Sequence, residues 1–170
     1  RQDHREIDAH IWQYRYDFPG GSTPYLCDVW PGLELKHRAT TYFLWGVPSR
    51  ELVRQLSERF DRVALILDIG CFGESQRVEL MGKGLLKPCP TDAALFDAID
   101  GCLRHPNLEL EVCGIAGLPF ATPKSLAEEH ALMQRVLERG CKVGYQRLQS
   151  QPGALVTSHP DRFSMRSDAV

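Results

Sequence analysis

Short apolar runs rich in β-branched and aromatic residues recur along the chain, each bounded by turn residues. They cover residues 38–45, 63–69, 108–115 and 143–149, with a fifth, less regular run at 7–16. Runs of this length and composition predict buried strands. The intervening segments carry apolar residues at helical spacing. Leu52, Val53, Leu56 and Phe60 form one face of a helix over 49–60, announced by Pro48 and Ser49. Leu95, Phe96, Ile99 and Leu103 do the same over 91–103, with Thr91 placed to cap. Over 123–139 the apolar face is Leu126, Leu132, Met133, Val136 and Leu137; Thr122 reads as N-cap, Pro123 as the first helical residue and Gly140 as the residue past the end. Alternation of strand and helix predicts an α/β fold, a half-closed parallel sheet in sequence order with its helices on one outer face. Residues 20–24 and the tail after Ser150 read as loop, and no domain boundary precedes about residue 152.

Parallel α/β folds gather their functional groups at the carboxyl ends of the strands, which makes three segments candidates. The first, after 63–69, is glycine-rich and offers Glu74, Ser75 and Gln76, a carboxylate, a hydroxyl and an amide suited to ribose hydroxyls or an amino group. The alternative is a helix start with Ser75 as N-cap and Glu79 in the first turn. The second, Gly117-Leu118-Pro119 after 108–115, can lay backbone groups against a flat ring, or is a rigid strand-to-helix turn. In the third, alternation puts Tyr145, Arg147 and Gln149 on one face of the last strand. They face either a ligand cavity or, on an exposed edge strand, solvent.

Composition narrows the classes. Of 170 residues, 43% are hydrophobic and 25% charged, enough for one ordinary core. A net charge of -2 lacks the basic footprint of a nucleic-acid binder. No apolar run approaches the roughly 20 residues of a membrane span, so no membrane partner is expected. The chain opens Arg1-Gln2-Asp3, without signal-peptide features, and reads as part of a longer protein. Six cysteines, at 27, 71, 89, 102, 113 and 141, show no metal-ligand spacing; several sit in apolar runs as small hydrophobes. A disulfide scaffold is not expected, and a reducing, cytoplasmic location is.

In order and spacing the three segments resemble the radical S-adenosylmethionine (SAM) enzymes, particularly their cobalamin-binding branch. Ser75-Gln76-Arg77-Val78 and Met81-Gly82-Lys83-Gly84 match a Ser-x-Arg-Val turn and a Met-x-Lys-Gly stretch. Gly117-Leu118-Pro119 match a Gly-x-Pro turn; Pro152-Gly153-Ala154 and His159-Pro160-Asp161 match the segments after the last strand. The resemblance spans residues 39–165. It implies a partial (β/α)6 TIM-like barrel with residues 1–150 supplying strands two to six, the first strand lying outside the chain, and 151–170 a loop or linker. It further implies SAM as cofactor, a 4Fe-4S cluster with ligands upstream, cobalamin held by an upstream domain of the same parent chain, and methyl transfer to an unactivated or aromatic carbon of a small molecule or amino acid. Glu74, Ser75, Ile115, Leu118 and Gln149 would then line the SAM side, and Tyr145 and Arg147 would face substrate or corrin, Arg147 holding a carboxylate bidentately. This sequence departs from the pattern in that Phe72 occupies the usual Glu position and Glu74 a usual Gly position. Phe120 and Ala121 replace a Gly and a Glu, and the Cys-x3-Cys-x2-Cys cluster loop is absent.

Two other classes stay open. An aldolase-like barrel enzyme would want a lysine or a carboxylate pair at strand ends, yet Lys36, Lys83, Lys87, Lys124 and Lys142 all lie away from the predicted ends. A non-catalytic α/β binding module needs neither. No general base stands out; His10, Tyr14, Tyr16 and Asp17, around the end of the first run, are candidates.

Overall fold

The computed structural model describes residues 15–16, 39–148 and 159. Along them lie β1 (Arg15–Tyr16), β2 (Ala39–Trp45), α1 (Arg50–Arg59), β3 (Arg62–Asp68), α2 (Glu74–Gly82), α3 (Asp92–Cys102), β4 (Leu108–Ala116), α4 (Pro123–Glu138) and β5 (Lys142–Arg147). The strands form one sheet in the order β1-β2-β3-β4-β5, every neighbouring pair parallel. The α/β class, the parallel pairing and the sequential order are those the alternation predicts. Of the run at 7–16 only Arg15 and Tyr16 are described, and the segment 151–170 lies outside the described residues except for exposed His159.

Right-handed crossovers between strands that follow one another in sequence carry successive helices to the same face. The packing agrees. Tyr42 and Leu44 of β2, Val63, Leu65 and Leu67 of β3, and Leu108, Leu110 and Val112 of β4 are in register and buried. They share one core with Leu52 and Leu56 of α1, Leu95 and Ile99 of α3, and Leu132 and Val136 of α4. Each such side chain contributes about 1.5–3 kcal/mol by leaving water. The alternate residues form the face away from the helices. One row there is Phe43, Ile66, Glu111 and Lys142; the next, nearer the carboxyl ends, is Trp45, Asp68, Cys113 and Gly144.

Local chemistry sets the helix starts. Ser49 accepts from the Leu52 N–H and Thr91 from the Ala94 N–H. Thr122 and Ser125 make a reciprocal capping box with Pro123 at the first turn, and Gly140 follows α4 with φ +77°. α2 differs from expectation. Its N-cap is Gly73, with no side-chain bond, so Ser75 lies within the first turn rather than capping, and Glu79 falls in the second half of the helix. β5 stops at Arg147, short of the predicted 149, and Gln149 is not among the described residues. No helix among the described residues is long and apolar enough to cross a membrane.

Candidate functional site at the carboxyl edge of the sheet

β2 and β3 end level at Trp45 and Asp68, whereas β4 and β5 run on to Ala116 and Arg147, three residues past Cys113, the partner of Asp68, and the loops leaving them are stitched to one another. After β3 the chain turns at Gly70, φ +78°, whose N–H is taken by Asp68 Oδ1 at 3.0 Å. A Cβ at Gly70 would come 2.7 Å from Leu86 Cδ2, which could shift, so it is the left-handed φ that favours glycine there. Phe72 then folds onto the helix side of β4, where Gly114 makes room: a Cβ there would meet the Phe72 ring at 2.8 Å. Phe72 is fully buried and packs 5.2 Å, centre to centre, from Tyr145.

The polar residues of the 74–77 segment hold this rim. Glu74 Oε1 accepts from the Asp92 N–H at 2.9 Å, joining α2 to the start of α3. The Ser75 N–H donates to Glu128 Oε2 at 2.9 Å, joining α2 to α4. Ser75 also bonds the same carboxylate through its hydroxyl, and these bonds hold the Glu128 carboxyl below its usual range. Gln76 Nε2 donates to the carbonyls of Leu118 at 3.2 Å and Pro119 at 2.8 Å, tying the β4–α4 turn to α2. Arg77 is fully buried. Its Nη1 donates to the Cys71 and Phe72 carbonyls at 2.8 and 2.9 Å, its Nη2 pairs with Asp92, and its Nε has no partner among the described residues.

The segment 83–90 drapes across the same edge. Lys83 Nζ lies 4.7 Å from the centre of the Phe120 ring. Lys87 Nζ lies 5.4 Å from that of Trp45, whose Nε1 donates to the Pro88 carbonyl at 2.9 Å. Phe120 itself has φ +63°, a left-handed conformation costly for a side chain of its size.

The residues singled out from sequence therefore divide. Glu74, Ser75, Ile115 and Leu118 all lie on this edge, with Ile115 half-buried beside Gln146 on the helix-free face. The Glu74 and Ser75 groups named above are spent on ties between helices, and the Leu118 carbonyl on Gln76. Tyr145 and Arg147 do share a face, but it is the helix side. Tyr145 hydroxyl reaches Glu129 and, at 3.2 Å, Met133 Sδ, both on α4. Burial first and the Glu129 bond second push its phenol above the usual range. Both residues are exposed, as befits the described sheet's last strand. Tyr16 sits in β1 opposite Trp45; His10, Tyr14, Asp17 and Gln149 lie outside the described residues.

Sequence reasoning missed Asp68 and Glu111, counted inside runs read as buried apolar strands. Asp68 is 6% exposed, and burial raises its carboxyl above the usual range against the lowering effect of the Gly70 N–H. Cys113 donates its thiol to Glu111 Oε1 at 3.3 Å. Burial, then Glu111, push that thiol up to about 12. Burial likewise pushes Cys71 to about 11 and Cys89 to about 12, so these thiols stay protonated at neutral pH. No group of three His, Cys, Asp or Glu residues among the described residues could hold a metal ion. A separate cleft of about 340 Å³ lies between α1 and α3, floored by Val53, Ala94, Ala98 and Gly101. It belongs to the helix layer, apart from the polar row of the sheet. No protein-family model matches the chain, and no curated protein matches it.

Proposed function

We propose that this chain supplies one wall of the barrel of a radical SAM enzyme, with the reaction site on the helix-free face at the carboxyl ends of β2 to β5. The activity we propose is cobalamin-dependent methyl transfer to carbon of a small molecule or amino acid. The observation that carries the reading is the sheet. Its strands are parallel and sequential, with the described helices on one face, the arrangement that curls toward a barrel and leaves the other face for ligands. The Gln76 bonds to Leu118 and Pro119 add to it, because they join the two segments that resemble the family's turns.

The described residues do not fit the iron-sulfur cluster, since no three of their cysteines gather. Its ligands would come from outside them. The side chains assigned to SAM fit only in part: Glu74 keeps one oxygen without a described donor, while Ser75 is spent on Glu128. SAM, when bound, would supply the methyl group and the oxidising chemistry. What this chain contributes is a pre-formed rim: Arg77, Gln76 and Glu74 fix the β3 and β4 loops before any ligand arrives. The test is anaerobic purification of the protein that carries these residues, followed by iron and sulfide analysis, SAM cleavage under reduction, and methyl transfer with and without cobalamin. Absence of iron together with absence of SAM binding would reject the reading. The alternative, a non-catalytic binding module, gains from the same internal ties, which leave the 74–77 segment satisfied without a ligand.

A further inference from the structure

This inference rests on the reading that ligands gather at the carboxyl edge, and it concerns what they must carry. Asp68 is the last residue of β3 and is 94% buried, being 6% exposed. Its register partners, Trp45 and Cys113, put it on the face away from the helices, opposite in parity to Leu67 in the core. One hydrogen bond serves it, from the Gly70 N–H to Oδ1. Oδ2 has no donor and the carboxylate no ion pair among the described residues. Arg77, the buried cation of this edge, is already paired with Asp92. The neighbouring thiol does not help either, since Cys113 donates its hydrogen bond to Glu111, itself acidic.

A buried carboxylate without a counter-charge is costly, and burial raises its pKa accordingly. The turn does not demand the cost: an asparagine oxygen would accept from Gly70 equally well. An acid where an amide would serve, at the ligand end of a parallel strand, points to an incoming cation. We propose that Asp68 is a substrate-binding residue that takes the protonated amine of an aryl-alkyl or alkyl amine seated on the helix-free face.

The experiment compares the full-length protein with D68N, which keeps the Gly70 acceptor and removes the charge. Binding of 2-phenylethylamine, of its neutral analogue 2-phenylethanol and of SAM is measured by calorimetry near pH 7, with melting temperature as the folding control. The expected result is binding of the amine in preference to the alcohol, and a loss of at least tenfold in amine affinity in D68N with the fold intact. The inference is overturned if the wild-type protein does not bind the amine, if the alcohol binds as tightly, or if D68N binds the amine as well as wild type. It is also overturned if D68N weakens SAM and leaves the amine unchanged, because the carboxylate would then serve the nucleoside cofactor. A wild-type protein that binds the amine through Asp68 but does not bind SAM upholds this inference and rejects the radical SAM reading.

Discussion

Replacing Arg77 by methionine tests whether the rim is held as described. The guanidinium is sealed from solvent, donates twice to the buried carbonyls of Cys71 and Phe72, and pairs with Asp92, whose side chain is 25% exposed. Methionine fills most of the volume and makes none of these bonds. Removing one partner of a buried pair costs about 3–5 kcal/mol, and the two orphaned carbonyls put R77M toward the upper end. With a urea slope of about 2 kcal/mol per molar, the unfolding midpoint falls by about 1.5–2.5 M. D92N leaves the arginine buried without its counter-charge while retaining the backbone N–H that Glu74 accepts, and is expected to lose stability in the same range. In the double variant the losses overlap, giving a coupling of about 1–3 kcal/mol. Urea unfolding of the four proteins, followed by circular dichroism, reads all of these terms. A loss below about 0.5 kcal/mol in R77M, the scale of an ordinary surface substitution, refutes the buried-tie argument.

Gly114→Val drives a branched side chain into Phe72, already 2.8 Å from the position of a Cβ; a loss of at least about 1–3 kcal/mol in denaturant unfolding is expected, and an unchanged midpoint would show that Phe72 packs elsewhere. Asp68 has a folded-state pKa raised above its ordinary 3.8, so the folded chain holds this proton more tightly than the unfolded chain. Its contribution to stability is therefore present below the ordinary carboxylate range and lost as pH rises through the folded value. Wild type should fall relative to D68N in thermal unfolding as pH rises above the ordinary carboxylate range, and parallel curves would contradict the burial of a charged group. Cys71, Cys102 and Cys113, with thiols pushed up to about 11, 12 and 12 by burial, should resist alkylation at pH 7.5 in the folded chain; rapid labelling of all three, mapped by mass spectrometry, would contradict their placement.

What was legible in the sequence follows the range of the interaction. Ser49, Thr91, Thr122 and Gly140 announce helix ends because capping is decided within three or four residues. A helix start was legible at α2, but its cap was not: the cap is Gly73, which makes no side-chain bond, and the buried side is Gln76, Arg77 and Leu80, so no apolar stripe fixes the register. The polar character of Glu74 and Ser75 is plain, but their partners stand 18 and 53 residues away, and no local pattern shows that these groups bind helices together. Tyr145 and Arg147 illustrate a parity problem. Alternation says correctly that they share a face, and only the packing of α4 says which face that is. Asp68 had a signal available: an acid at the final position of an apolar strand, immediately before an Ile-Gly turn.

The central proposal is that the carboxyl edge of this parallel sheet would form part of a SAM-dependent reaction site. Its most direct test is the anaerobically purified protein that carries these residues, reconstituted with iron and sulfide and mixed with SAM and a strong one-electron reductant. The account predicts co-purifying iron and sulfide in the ratio of a 4Fe-4S cluster, together with SAM cleavage that depends on both cluster and reductant. A protein that binds neither iron nor SAM after reconstitution would contradict it.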